Sequence, residues 1–458
     1  MSTRCTSEAN LTELDRSLTG SVLHFASQSG ARLETRTEPF WTWIRHRRTH
    51  EVWPFFRVLG GGVSHRVEIA DEFGKPLGSC INFGSQDYLG LAQAESLRDA
   101  VRESLPRFGV HSAGSPALCG RTRPLLQLER RIADLLHREA CLIYPTGWAA
   151  GFGVVGGLVR REDTIIIDAL AHNCLQEGAR HATAKVTKFP HNNLRKLRLL
   201  LQEARQASLT QGIFVIIESL YSMDSDSPNL GEAIALAREF EAILILDVAH
   251  DLGAIGSRGL GLLETIDLGT GPDLIMGSFS KTFAANGGFV ACSQSVRTYL
   301  GCYSAPLGFS NAISPLQTAV VNRAFEIVFS PVGQMLREQL WRNILTLRGA
   351  MEQRGLILGG TPSPICPVFV GDEPLARLTA KHLVRGGLLA NLVEFPAVAK
   401  GKARFRFQVM ATHTAEEIES AALIMTEARQ VASAELREFQ KASSLPLASQ
   451  LTPASSVT

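Results

Sequence analysis

The stretch Gly277–Phe283, with the sequence GSFSKTF, holds one lysine among small and hydroxylic residues. It follows the apolar run Asp273–Met276, so the pattern predicts a short buried strand that opens into a turn at Lys281. A lysine in a partly dry pocket loses proton affinity, because burial disfavours the ammonium, and its free amine can form a Schiff base with an aldehyde. The hydroxyls of Ser278 and Ser280 are suited to hold a phosphate. On its own, the stretch fits a surface lysine after a strand equally well.

A second stretch, Ile243–His250, places Asp247 at the end of an apolar run. A buried carboxylate is costly unless a cation meets it. A protonated pyridine nitrogen is such a cation, and the ion pair keeps the ring an electron sink. His250 is placed to hydrogen-bond the ring's phenolic oxygen. Each residue alone fits a helix cap or a structural histidine, but the order Asp247, His250, Lys281 indicates a pyridoxal 5'-phosphate (PLP) site.

These stretches, with the motifs described below, resemble the α-oxoamine synthase family of PLP-dependent acyltransferases, which includes serine palmitoyltransferase and 8-amino-7-oxononanoate synthase. The resemblance runs from about Ile81 to about Thr414. It implies the type I fold of PLP-dependent transferases, which is α/β with a mostly parallel central sheet flanked by helices and a smaller α+β C-terminal domain. The expected divisions are an N-terminal extension at 1–80, a large PLP-binding domain at 81–312, a linker helix and small domain at 313–440, and a disordered tail at 441–458.

The segment Tyr144–Gly151, with the sequence YPTGWAAG, predicts a turn at a helix start. Exposed backbone amides and the positive end of the helix dipole make such a turn a phosphate seat. The resemblance assigns the cofactor phosphate to Gly147 and Trp148. The alternative is an ordinary strand-to-helix turn.

Two further apolar runs, Thr164–Asp168 and Phe214–Glu218, predict buried strands with polar residues at their exits. Parallel sheets bind ligands beyond the carboxyl ends of their strands. The resemblance aligns His172 with a histidine that stacks on the pyridine ring, and it places Ser222 beside the ring oxygen or its histidine neighbours. Cys174 stands where relatives usually have serine.

The run Ala403–Val409 predicts a strand whose alternation puts Arg404 and Arg406 on one face. By motif position Arg406 is expected to grip the amino-acid carboxylate, since a planar bidentate donor suits a planar acceptor. Val368–Val370 and Leu388–Leu392 read as further strands. A long helical pattern, running from Ser314 to about Gln353, is expected to link the two domains.

The resemblance implies a homodimer with shared sites, in which a segment at 308–311 reaches the neighbouring subunit's phosphate.

Several positions depart from the family pattern. These departures fall at Gln86, Pro116, Leu125 and Asn311, and no role is taken over from the family for Pro116 or Leu125.

The composition is that of an ordinary globular protein, with 458 residues, 45% hydrophobic and 20% charged, and a net charge of +2. This balance gives no reason to expect nucleic-acid binding. Eight cysteines without metal spacing predict reduced thiols, no metal and a cytoplasmic location. No apolar run reaches the roughly 18 to 20 residues of a membrane span. Aromatic and basic residues alternate at Phe40–Arg57, which fits a peripheral membrane or acyl-carrier contact, although a helix packed on the domain or a partner subunit is favoured.

The resemblance implies a decarboxylative condensation of serine, alanine or glycine with an acyl thioester, from coenzyme A or an acyl-carrier protein, to give an α-amino ketone. The expected catalytic residues are Lys281, His172, Asp247 and His250. The expected cofactor contacts are Gly147, Trp148, His172, Ser222, Asp247, His250, Ser278, Ser280 and Lys281. Two alternatives stay open: a PLP aminotransferase or lyase of the same fold, and a non-catalytic partner subunit of a serine palmitoyltransferase-like complex.

Overall fold

The computed structural model describes residues 17–443, so the polar leader up to residue 16 and most of the predicted tail lie outside the described residues. A helix, α1 (Leu33–Thr49), begins the main body and buries Trp43 and Ile44, as the favoured interpretation of this stretch requires. Three strands follow, β1 (Val58–Leu59), β2 (Arg66–Ala70) and β3 (Pro76–Asn82), and they pair antiparallel in that order.

A seven-stranded sheet forms the centre of the molecule, in the order β4-β10-β9-β8-β7-β5-β6. All neighbouring strands run parallel except β10, which is antiparallel to both β4 and β9. The mostly parallel sheet predicted from the sequence is therefore confirmed. The strands are β4 (Ala140–Tyr144), β5 (Thr164–Asp168), β6 (Val186–Phe189), β7 (Ile213–Glu218), β8 (Ile243–Asp247), β9 (Leu274–Ser278) and β10 (Gly288–Cys292).

Helices cover both faces of this sheet. Along β7, Phe214 and Ile216 face one apolar cluster while Val215 and Ile217 face the other, and all four are buried. Strands covered on both faces read as continuous apolar runs, which is why the sequence reveals them. The helices of this region are α2 (Glu95–Phe108), α3 (Arg123–Leu135), α4 (Gly147–Leu158), α5 (Asn173–Ala182), α6 (Leu194–Ala207), α7 (Leu230–Glu239), α8 (Gln294–Tyr303) and α9 (Ala305–Phe309).

The long helical pattern that begins at Ser314 is two helices, α10 (Pro315–Val328) and α11 (Pro331–Gln353), so the expectation of one linker helix is wrong. The break has a local cause. The Ser330 hydroxyl accepts from the Gly333 amide at 3.4 Å and caps α11. Pro331 occupies the first turn, where its missing amide hydrogen costs nothing.

A smaller antiparallel sheet carries the C-terminal part of the chain, in the order β11-β12-β15-β14. In β15, Phe405 and Phe407 are fully buried, and Arg404 and Arg406 lie on the opposite face, as the alternation predicts. The elements are β11 (Ile357–Leu358), β12 (Ile365–Gly371), α12 (Glu373–Arg385), β13 (Leu388–Leu389), β14 (Asn391–Val393), β15 (Ala403–Gln408) and α13 (Ala415–Ser443).

The expected single strand at Leu388–Leu392 is divided between two sheets. β13 pairs in parallel with β3, where Leu388 lies opposite Ile81, and β14 pairs with β15. The chain crosses between the sheets at Ala390, so one apolar run contributes a strand to each of two sheets. The N-terminal strands and the C-terminal part are thereby joined through backbone hydrogen bonds. Within residues 17–443, no helix is long and apolar enough to cross a membrane.

Candidate active site

A cavity of about 420 Å³ opens at the carboxyl ends of the central strands. Parallel sheets place the residues that follow their strands at one edge, so stretches far apart in sequence meet there. The structure brings every residue of the predicted site to the wall of this cavity; their roles stay predictions. These residues are Gly147, Trp148, His172, Ser222, Asp247, His250, Ser278, Ser280, Lys281 and Arg406.

Asp247 and Lys281 are the two charged groups at the centre of the site. Asp247 ends β8 and is 4% exposed, and its Oδ1 accepts from the Ala249 amide at 2.9 Å. Burial raises the pKa of Asp247, against the attraction of Lys281 and His172. Burial lowers the pKa of Lys281, against the attraction of Asp247. The site therefore favours a cationic ligand at the carboxylate and keeps the lysine amine closer to its neutral, basic form.

His172 is held as a neutral imidazole at the start of α5. Its Nδ1 accepts from the Cys174 amide at 3.3 Å, and its own backbone N–H donates to Glu218 Oε1 at 2.5 Å. Burial lowers the pKa of His172. With Nδ1 engaged as an acceptor, the ring carries its proton on Nε2. The Trp148 ring stands edge-on at 6.2 Å between centroids, which fixes the imidazole plane on one side.

His250 is buried beside Tyr88, whose hydroxyl lies 2.9 Å from Nδ1. Burial lowers the pKa of His250 well below its usual range, so this ring is neutral as well. Sequence reasoning gave Tyr88 no role; the residue lies in the segment that follows β3. The hydrogen bond joins this segment to the end of β8. It therefore holds His250 in one orientation at the cavity wall.

A close approach of backbone to side chain forms the predicted phosphate seat. A Cβ atom on Gly147 would lie 2.6 Å from both Cβ and Oγ of Ser278, so only glycine fits at the start of α4. Thr146 caps the helix by accepting from the Ala149 amide at 3.0 Å. The hydroxyls of Ser278 and Ser280 lie 2.7 Å apart beside it. Free helix amides and paired hydroxyls suit an anion at this position.

The two arginines of β15 differ in how far their donors are used. Arg404 donates to Asp224 at 2.5 Å, to the Met223 carbonyl at 3.2 Å and to the Lys402 carbonyl, just before its own strand, at 3.2 Å. Arg406 donates to the Ser222 carbonyl at 3.2 Å, and its buried Nε has no hydrogen-bond partner among the described residues. Arg406 is thus the arginine with spare donors at the cavity, and a ligand carboxylate would satisfy them.

The donor set fits PLP on four observations of this chain. An amine of lowered pKa is available for an aldehyde, a buried carboxylate for a pyridinium, a glycine cradle for a phosphate and a neutral histidine for a ring hydroxyl. Within residues 17–443, no group of three or more His, Cys, Asp or Glu side chains could hold a metal ion.

The positions that depart from the family pattern take different places. Gln86 lies on the wall of the cavity, and Leu125 is buried in α3. The segment 308–311 is not part of this cavity wall, and its Phe309 is 94% exposed.

His191 lies outside the lining of the cavity and connects two of the segments that carry site residues. No sequence pattern indicated this residue. Its Nδ1 contacts Asp168 at 2.8 Å and its Nε2 contacts Asp226 at 3.0 Å, so the two carboxylates hold both ring nitrogens. Burial opposes the charge, but the hydrogen bonds to these carboxylates outweigh it and raise the pKa of His191 to about 10. The bridge ties the end of β5 to the loop that carries Ser222.

Comparisons with known proteins identify relatives of this chain. The family model described as aminotransferase class I and II matches residues 78–423. A serine palmitoyltransferase of Sphingobacterium spiritivorum is 34% identical over 74% of this chain and 84% of its own. An 8-amino-7-oxononanoate synthase of Klebsiella pneumoniae is 35% identical over 74% of this chain and 86% of its own. A serine palmitoyltransferase solved with its PLP internal aldimine superposes with a TM-score of 0.81, at 25% identity over 88% of this chain and 99% of that one.

We expect the His191 bridge to stabilise the protein only while the imidazole is charged. Its pKa is about 10 in the folded protein against an ordinary 6.5, so the stabilisation is complete below about pH 6.5 and is lost as the pH rises through about 10. In thermal unfolding, the melting temperature of His191→Gln should lie furthest below that of the wild type at about pH 6.5, and the difference should close by about pH 10. A gap that did not change with pH would contradict the charged bridge.

Proposed function

The chain belongs to the class I and II aminotransferase family and, within it, to the α-oxoamine synthases, and we propose that it condenses a small α-amino acid with an acyl thioester to give an α-amino ketone. The cofactor is pyridoxal 5'-phosphate. The observation that carries the proposal is the meeting of Lys281, Asp247, His172 and Arg406 on one cavity at the carboxyl edge of the sheet.

Different residues of this cavity would hold different parts of the cofactor. Lys281 would hold the aldehyde carbon, Asp247 the pyridine nitrogen and His250 the ring hydroxyl. The start of α4 would hold the phosphate, together with the paired hydroxyls beside Gly147. When bound, PLP supplies an electron sink that stabilises negative charge on the α-carbon of the amino acid.

The reaction balances around that α-carbon. Its C–H bond breaks, a C–C bond forms to the acyl carbon, and the C–S bond of the thioester breaks to release the thiol. The bond to the carboxylate then breaks to release carbon dioxide, and a proton returns to the α-carbon.

Lys281 is suited to carry that proton away and back, since burial lowers its pKa toward the working range of a general base. Asp247 would supply the counter-charge that keeps the pyridine nitrogen protonated. Arg406 orients the carboxylate through its free donors, and His172 presents Nε2–H to the same group. These contacts fix which bond of the α-carbon is labile at each stage.

A second cavity, of about 790 Å³, adjoins the first and supports an acyl donor as the second substrate. The two cavities share the wall formed by His172, Ser222 and Met223. Leu170 and the segment Phe395–Ala399 give the second cavity an apolar side. We propose that the acyl chain lies there, with its thioester carbon toward the shared wall.

A homodimer is part of the proposal. Four large apolar side chains are more than half exposed on the loop of residues 109–122 and at the ends of α8 and α9, and this loop is joined to α9 where the Ala117 amide donates to the Leu307 carbonyl at 3.0 Å. Trp148 belongs both to the site and to the surface, being 46% exposed, so a second copy that covers this region would also complete the site. The four side chains are Val110, Leu118, Tyr303 and Phe309.

The proposal extends to the location of the protein. Buried free thiols, among them Cys80, Cys141 and Cys366, suit a reducing compartment, and we place the enzyme in the cytoplasm. Trp41 and Phe56 are exposed at the N-terminal aromatic and basic stretch, and they are available for a peripheral membrane contact.

The function is tested by mixing PLP-loaded protein with an acyl-CoA and serine, alanine or glycine. We expect release of free CoA with formation of the α-amino ketone, followed with a thiol reagent and mass spectrometry. Lys281→Ala should lose the imine absorbance and at least roughly 10²–10⁴-fold of the rate. Transfer of the amino group to a keto acid without release of thiol would point to an aminotransferase instead. A Lys281→Ala protein that kept the wild-type rate would overturn the assignment.

Arg406→Lys should raise the KM for the amino acid by roughly 10- to 100-fold, because a point charge replaces a bidentate donor to the carboxylate. The matched control is Arg404→Lys on the same face of β15, whose donors are already used within the protein. Steady-state kinetics at saturating acyl-CoA separates the two. Equal effects of both substitutions would remove Arg406 from carboxylate binding.

Phe309→Asp should weaken dimerisation by roughly tenfold or more, since it places a charge in the proposed apolar interface. Leu209→Asp is the control, because Leu209 is 81% exposed at the end of α6. Light scattering after gel filtration gives the mass of each variant. An unchanged dimer in Phe309→Asp, or a wild-type monomer, would contradict this interface.

A further inference from the structure

Three charged side chains outside both cavities form one buried cluster. Arg47 is 0% exposed, Arg377 1% and Glu394 8%. Arg47 Nη1 lies 3.3 Å from Glu394 Oε1, and Arg377 Nε lies 2.7 Å from Glu394 Oε2. Two guanidinium groups therefore hold one carboxylate by both of its oxygens. Charges buried this completely persist only where their hydrogen bonds are met.

The remaining donors of the two arginines are met by the N-terminal arm, which comprises residues 17–56. Arg377 Nη1 donates to the Leu18 carbonyl at 2.6 Å. Arg47 donates twice to the Val52 carbonyl, at 3.2 Å from Nε and 3.0 Å from Nη2. The cluster thus needs the arm in this position. The hydrogen bonds and ion pairs of the cluster hold the arm against Glu394, which lies more than three hundred residues away in sequence.

Glu394 stands at the base of the wall loop, which comprises residues 395–402 between β14 and β15. Five residues of this loop line the second cavity. One backbone hydrogen bond lies within the loop, from the Lys402 amide to the Ala399 carbonyl, and a second joins the Ala397 amide to the Glu394 carbonyl. A side-chain anchor lies at its far end, where Glu373 Oε1 accepts from the Gly401 amide at 2.9 Å. The position of the loop therefore depends on Glu394 at one end and on two side chains at the other, since Arg404 Nε also donates to the Lys402 carbonyl at 3.2 Å.

We propose that Arg47 and Arg377 are positioning residues for the acyl donor. They fix Glu394, Glu394 fixes the wall loop, and the wall loop shapes the second cavity. The inference rests on the proposed function, because it takes the second cavity as the place of the acyl chain. Neither arginine lines the first cavity, so cofactor loading and amino-acid binding are expected to be independent of them.

The first test compares Arg47→Met with Arg48→Met in the PLP-loaded protein. Arg48 is the next residue of the same helix, and it pairs with Glu72 near the surface at 2.6 Å. In Arg47→Met we expect the KM for acyl-CoA to rise about tenfold, with the KM for the amino acid and the imine absorbance unchanged. Arg48→Met should leave both KM values at the wild-type level. If both KM values rose together in Arg47→Met and the absorbance fell, the cluster would be a structural support only.

A second variant guards against unfolding, since removing one partner of a buried ion pair is strongly destabilising. Glu373→Ala releases the far end of the wall loop without touching the buried cluster, and it should raise the KM for acyl-CoA in the same direction by a smaller factor. An unchanged KM for acyl-CoA in Glu373→Ala would overturn the role given to the wall loop.

Hydrogen exchange by mass spectrometry supplies a readout that needs no turnover. Amides of residues 395–402 should exchange faster in Arg47→Met and in Glu373→Ala than in the wild type, while those of β7 and β8 keep their protection. Unchanged exchange of the wall loop in folded Arg47→Met would overturn the proposal. If the wild-type protein released no thiol, the proposed function would fail, and the exchange data would still decide whether the arm holds the loop.

Discussion

A carboxylate buried at the end of a strand, facing a lysine amine across a cavity, is the constraint on which the rest of this molecule depends. Asp247 is only 4% exposed, and the one hydrogen bond described for its carboxylate comes from the Ala249 amide. Such a group is costly unless a cation is supplied to it. The attraction between Asp247 and Lys281 offsets part of that cost in the absence of a ligand. A protonated ring nitrogen would offset more of it, and this makes the cavity selective for a pyridinium.

The contacts around Asp247 and Lys281 hold the neighbouring strands, helix start and histidines in place. The antiparallel β10 lies between β4 and β9, and a Cβ atom on its Gly288 would lie 2.7 Å from the Cα of Gly147. Because both positions are glycine, the start of α4, where the phosphate is proposed to bind, packs against β10 and against the end of β9. β9 is the strand that leads to Lys281. Tyr88 and Glu218 hold the two neutral histidines by hydrogen bonds. The electrostatics of the site thus arises from charged side chains held at the packed edge of a sheet.

Much of this arrangement can be predicted from the sequence, because the site residues follow apolar runs. Asp247 and Lys281 each come at or just after a buried strand, and parallel strands end at a common edge. The contacts between distant side chains could not be predicted. Arg47 reads as one basic residue among several, yet it is fully buried against Glu394. By contrast, the break in the pattern that begins at Ser314 is marked in the sequence by Ser330 and Pro331, an N-cap residue followed by a first-turn proline, and the expectation of one helix overlooked this start signal.

The most direct test of the central claim is the exchange of the amino acid's α-proton with D₂O, followed by NMR in PLP-loaded protein without an acyl donor. The account predicts exchange for at least one of serine, alanine and glycine in the wild type. In Asp247→Asn, it predicts a rate lower by roughly 10²–10³-fold, because the ring nitrogen loses the charge that keeps it protonated. Exchange at the wild-type rate in a folded, PLP-loaded Asp247→Asn protein would contradict the account.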